Sequence, residues 1–214
     1  MSAAEKLNSK MTVQEYLAWE RTQTERHEYF AGEVFSQAGG TRRQSLIGAN
    51  VLRAIGNFLE DRECEAHGSD MRVLIEATGY HAYPDVSVVC SPIQGGSDDV
   101  LTNPIVIVEV LSPSTADFDR GTKFDHYRQI PSLQEYLVFW RDEARVEQPT
   151  RTSEGLWLLR DISGIDQLLT LASVGQLLPL RTVYKKVKFN LHFSTTTSSC
   201  QGFDQSPHCS RYCW

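Results

Sequence analysis

The run Pro104-Ile-Val-Ile-Val-Glu-Val-Leu111 constrains this chain more than any other segment. It is apolar but for one residue, rich in β-branched side chains, and broken at once by Ser112-Pro113. It therefore reads as a strand that is oily on both faces, which belongs in the middle of a sheet covered on both sides. Side chains alternate across a strand, so Ile105, Ile107, Glu109 and Leu111 share one face, and Val106, Val108 and Val110 the other. Glu109 projects into an apolar surface near the strand's end. A buried carboxylate without a partner is costly, and proteins neutralise it, pair it or give it a metal.

The segments around this strand predict an α/β or α+β domain. Thr12 and Glu15 form the pattern of a capping box ahead of a short helix in TVQEYLAWE, with Val13, Tyr16 and Leu17 at helical spacing. RHEYFAGEVFSQAG reads as two short strands about a turn at Ala31-Gly32. From Arg42 to Arg62 the residues Ile47, Val51, Ala54, Ile55, Phe58 and Leu59 make one apolar stripe, a long helix that packs on a sheet. MRVLIEA and YPDVSVVC are further strands. A helix follows from Arg120 to Ile130, ended by Pro131. EYLVFW resumes strand, ARVEQ and GLWLLRDI form hairpins, and SVGQLLPLRTVYKKVKF is the last ordered element. The expected organisation is a tail over 1–10, one domain over 11–189 and a disordered tail over 190–214.

Composition narrows the function. The net charge of -6 is the wrong sign for a protein that coats nucleic acid through many phosphate contacts, yet a nuclease carries acidic ligands deliberately. No apolar run approaches the roughly 20 residues of a membrane helix, and no signal sequence opens the chain, so a cytoplasmic protein is expected. Five cysteines and no export signal argue against a disulfide framework. Cys200, His208, Cys209 and Cys213 crowd the tail without the paired C-x-x-C knuckle of a structural zinc site.

Two more residues give Glu109 a context. Asp85 follows Pro84 at the start of a strand, where sheet meets loop. If the two strands are neighbours, their carboxylates converge, and one or two carboxylates completed by water and phosphate are how proteins hold Mg²⁺. Lys123, in DRGTKFDHYRQ, stands on the helix after the Glu109 strand and could return over the site. Taken singly, Asp85 is an ordinary turn residue, Glu109 a structural ion-pair acid and Lys123 a solvated helix residue; together they are more specific.

YPDVSVV, IVEVLSPST, DRGTKFDHYRQ, QEYLVF and HEYFAGEVFSQAGG resemble the Uma-type endonuclease family of the restriction-endonuclease-like, PD-(D/E)xK superfamily. The resemblance runs from TVQEYLAWE to about Phe189. It implies a mixed central sheet flanked by helices with additional antiparallel hairpins. It also implies a Mg²⁺- or Mn²⁺-dependent DNA endonuclease, with Asp85 and Glu109 as catalytic acids and metal ligands. The superfamily's usual lysine, two residues after the acid, is Leu111 here, and Lys123 is the matching residue. Gln44 stands where the family carries a polar or histidine residue, and Glu33 is a further candidate acid. Nucleic acid is the implied partner, DNA ahead of RNA, and a homodimer is in keeping with the superfamily. The alternative is the same fold without catalysis, binding nucleic acid or a protein.

Overall fold

The computed structural model describes residues 6–7, 10–37, 40–111 and 116–189. The expected strand of Pro104–Leu111, β9, lies inside a six-stranded mixed sheet. That sheet contains β4 (Cys64–Gly68), β7 (Val86–Cys90), β10 (Glu135–Trp140), β11 (Arg145–Arg151) and β12 (Trp157–Ser163), in the order β12-β11-β10-β9-β7-β4. β9 and β10 run parallel, and the other pairs are antiparallel. A second mixed sheet of six strands has the order β1-β3-β2-β6-β5-β8. Its strands are β1 (Lys6–Leu7), β2 (His27–Phe30), β3 (Glu33–Ser36), β5 (Arg72–Ile75), β6 (Tyr80–Ala82) and β8 (Val100–Leu101). β13 (Leu168–Leu171) and β14 (Gln176–Pro179) form a separate hairpin. The expected mixed sheet flanked by helices, with an additional antiparallel hairpin, is present, and a second mixed sheet accompanies it. Part of the segment read as an N-terminal tail is the strand β1, paired to β3.

The two faces of β9 seed two cores. Val106, Val108 and Val110 pack with Ile47, Val51, Ile55 and Leu59 of α2 (Arg42–Leu59), and with Leu178, Leu180 and Val183 around α5 (Leu180–Val183). Ile107 and Leu111 pack with Val73, Ile75, Tyr80 and Ala82 of the second sheet and with Tyr127, Ile130 and Leu133. This second core joins the sheets, and Glu109 lies on its side of β9. Ile105 departs from the expected face and packs with the α2 core, next to the register shift at Val88/Val89.

Local chemistry fixes the ends of these elements. Thr12 and Thr41 cap α1 (Val13–Glu20) and α2, each with a reciprocal bond from the residue three positions on. The β2–β3 turn puts Ala31 at φ 51° and Gly32 at φ 88°, the paired left-handed conformation that matches the twist of a tight hairpin.

The expected helix over Arg120–Ile130 is corrected in bounds and in kind. It starts at α3 (Ala116–Phe118), passes through a π-helical turn over Asp119–Lys123, and ends as α4 (Phe124–Tyr127). The wider turn re-aims the side chains it carries, and such turns recur at functional sites. A second correction concerns cysteine: Cys64 and Cys90 are joined by a disulfide, because they face each other in the β4–β7 register with Cα atoms 4.0 Å apart. Residues 112–115, the SPST loop, and the 190–214 tail with Cys200, His208, Cys209 and Cys213 lie outside the described residues. Among the described residues no helix is long and apolar enough to cross a membrane.

Candidate active site

β7 and β9 are neighbours with Val86 opposite Val108, so one further step in that antiparallel register sets Asp85 against Glu109. The backbone confirms the approach: Val110 N–H donates to Asp85 Oδ2 at 2.7 Å. On the same side of β9, Glu109 Oε1 accepts from Lys123 Nζ at 3.1 Å and from Tyr127 Oη at 3.0 Å. The ammonium of Lys123 also lies 3.0 Å from Glu28 Oε1 and 3.7 Å from Asp119 Oδ1. Glu28 is held in turn by Tyr80, whose hydroxyl donates to Oε2 at 2.5 Å, and by Tyr83 N–H at 3.4 Å. Glu28, Glu109, Asp119 and Lys123 are all buried, with 8%, 5%, 6% and 6% of their surfaces exposed.

Asp85, Glu109 and Lys123 are therefore brought together. Lys123 reaches the site from a helix because Leu111, the position two residues beyond Glu109, is a buried core residue. Gln44 does not touch the acids. Its carbonyl oxygen closes the α2 capping box and its Nε2 donates to Val110 O at 3.1 Å, steadying the strand beside Glu109. Glu33 stands opposite Phe30 at the hairpin turn, and it is Glu28 on β2 that supplies the hairpin's carboxylate to the cluster. Sequence reasoning missed Glu28, Asp119, Tyr80 and Tyr127. The available signals were an acid between aromatic residues in HEYF and an acid four residues before Lys123.

Three carboxylates, Glu28, Glu109 and Asp119, surround the Lys123 ammonium, and Asp85 feels its charge from across the strand pair. Burial alone would push the lysine's pKa down, but Glu109 and Glu28 outweigh it and hold Lys123 well above the ordinary lysine value. Burial pushes Glu109 well up against the pull of Lys123, and Asp119, Asp85 and Glu28 add to the rise. Burial likewise raises Asp85 to about 6, opposed by the Val110 N–H bond and by Lys123. The excess of carboxylate is relieved by protons or by a cation.

A divalent ion suits this donor set. Hard ions such as Mg²⁺ take oxygen ligands, and one or two carboxylates plus water and phosphate suffice for Mg²⁺. Among the described residues, no hydrogen bond is made to Asp85 Oδ1 or Glu109 Oε2, so each acid keeps an oxygen for a ligand. Among the described residues no group of three or more acidic, histidine or cysteine side chains is arranged to hold a metal ion, so an ion here would lean on Asp85 and Glu109 and on water.

Asp85 carries a stability cost that a neutral side chain would remove. Its folded-state pKa lies above that of a solvated Asp, so its contribution is fully present below pH 4 and is lost as pH rises through about 6. In the metal-free protein at pH 7 the ionised form then costs about 3 kcal/mol. Asp85→Asn, which can still accept from Val110 N–H, is expected to raise the urea midpoint at pH 7 and to leave it nearly unchanged at pH 4. A lowered midpoint at pH 7 would show that the buried charge is not under strain.

Two mixed sheets flanked by helices define an α+β fold, and the same fold is found in a solved structure. The crystal structure of a putative nuclease belonging to DUF820 from Anabaena variabilis matches with a TM-score of 0.67 over 81% of this chain and 97% of its own, at 18% identity. The chain belongs to the Uma2 family, described as "Putative restriction endonuclease", whose model matches residues 13–181. Two relatives from Synechocystis sp. are similar along most of their length. The uncharacterized protein slr1290 is 36% identical over 84% of this chain and 94% of its own, and the uncharacterized protein sll1609 is 37% identical over 72% and 88%.

Proposed function

We propose that this protein is a metal-dependent endonuclease that hydrolyses phosphodiester bonds, with DNA as the preferred substrate. The contact that carries the reading is Lys123 Nζ at 3.1 Å from Glu109 Oε1, with Asp85 across the strand pair. The family description and the nuclease-like fold support it.

Asp85 and Glu109 are the residues that would hold Mg²⁺ or Mn²⁺, and when bound such an ion would supply positive charge against the scissile phosphate and acidify an attacking water. Lys123, kept protonated by Glu109 and Glu28, orients that water or offsets the charge that grows on the phosphate oxygens. Tyr127 donates to the Glu109 oxygen that Lys123 also uses, which turns the other oxygen toward the ligand. The bond broken lies in the sugar-phosphate backbone, so the chemistry needs no element that reads bases.

Asp85 gives the activity a pH signature. A protonated carboxyl is a poor ligand, so at subsaturating Mg²⁺ the cleavage rate is expected to fall at least roughly tenfold per pH unit below about 6, because burial raises Glu109 as well as Asp85. Plasmid, single-stranded DNA and RNA, incubated from pH 5 to 8 with Mg²⁺, Mn²⁺ or EDTA, check this. Cleavage that survives EDTA, or that rises below pH 6, contradicts the proposal, and faster cleavage of RNA overturns the choice of DNA.

A further inference from the structure

Lys123 arrives at the active site by an unusual route, and the route creates a problem of aim. A lysine two residues beyond Glu109 would leave the same face of the same strand, with its direction set by the pleat. That position is Leu111, buried in the core. Lys123 extends instead from the π-helical turn, on a four-carbon arm whose ammonium is a compact charge with rotatable donors. Glu109 alone fixes a distance but not a direction.

We propose that Glu28 is the positioning residue that aims Lys123. It lies on β2 in the second sheet, whereas Glu109 lies on β9 in the first, so the ammonium is held between carboxylates supplied by the two sheets, at 3.0 and 3.1 Å. Glu28 is itself fixed: Tyr80 Oη donates to Oε2 and Tyr83 N–H to Oε1, and burial leaves Tyr80 a protonated donor, its pKa well above the ordinary tyrosine value. An ammonium has three N–H donors. Glu109 accepts a hydrogen bond from Nζ, and the Glu28 carboxylate, an ion-pair partner at 3.0 Å with Asp119 farther off at 3.7 Å, holds the rest of the ammonium in place and so sets where its other N–H groups point. Glu28 touches no reacting atom and acts through Lys123. It thereby makes the second sheet part of the catalytic apparatus.

This inference rests on the proposed nuclease activity, and its test separates the two. Glu28→Gln keeps the volume and an acceptor for Tyr80 but removes the charge that holds Nζ. With Mg²⁺ saturating, kcat for plasmid cleavage is expected to fall about 10²-fold, the loss that a misplacement near 1 Å produces, with KM for DNA within about twofold of wild type. Tyr80→Phe, which only loosens Glu28, is expected to give a smaller loss in the same parameter. In a Lys123→Met background, Glu28→Gln is expected to cause no further loss, because the group it aims is gone. Equal losses in both backgrounds, or a change in KM alone, overturn the positioning role. A crystal structure of Glu28→Gln decides the matter independently of turnover. Nζ is expected to move away from Glu109 Oε1, and an unmoved Nζ overturns the inference even if the wild type cuts DNA. A wild type that cuts nothing, beside a displaced Nζ, refutes the nuclease reading and leaves the aiming contact standing.

Discussion

Replacing Lys123 by methionine is expected to destabilise the protein by about 3–5 kcal/mol near pH 8, the cost of removing one partner from a buried ion pair. Lys123 faces Glu109, Glu28 and Asp119, and all four side chains are buried. The loss depends on pH, with a definite sign. The folded-state pKa of Glu109 is already raised, so its contribution is present at low pH and lost as pH rises through that value. Without the ammonium the pKa rises further, and the variant loses stability with pH more steeply than the wild type. Urea titrations at pH 5 and pH 8 should show a much larger deficit at pH 8. A deficit within about 1 kcal/mol at both would mean that Lys123 does not balance buried charge, because exposed pairs contribute no more than that.

Glu109→Ala is expected to reduce metal-dependent cleavage by more than about 100-fold, since loss of even the groups that support a metal ligand costs 10- to 100-fold. The effect on folding should run the other way from that of Lys123→Met. Burial opposes the ionisation of Glu109, and Lys123 retains Glu28 when it is gone. The conservative Glu109→Gln should therefore unfold at or above the wild-type midpoint while cutting no better than Glu109→Ala. Activity lost together with stability would point to a scaffold role. Activity lost with stability kept is the mark of a ligand held in place at some cost to the fold.

The parts of this site that the sequence reveals are those governed by local period. Alternation along β9 assigns Glu109 to the face of Ile107 and Leu111, and those neighbours pack as expected. The α2 stripe and both capping boxes are equally local and equally legible. Lys123 is different. The π turn shifts the phase of the helix, so helical spacing cannot say which way Lys123 points, and the sequence offers it only as a cation able to return over the site, which the family resemblance strengthens. Glu28 is hidden for another reason. His27, Glu28 and Tyr29 are buried in succession, so β2 has no polar face against which an acid would stand out. Its role depends on β2 meeting the helix after β9, a contact between two sheets that no window of sequence contains. The Cys64–Cys90 pair is of the same kind, set by the register of β4 against β7. The odd cysteine count argues against such a pair.

The central claim is that Asp85 and Glu109 share a divalent ion beside Lys123. Crystals of the wild type soaked in Mn²⁺ and measured for anomalous scattering test it most directly. A peak bridging Asp85 and Glu109, absent from crystals of Glu109→Gln, is the expected result. A Mn²⁺-soaked wild-type crystal with no peak there, or a peak that persists in the variant, would contradict it.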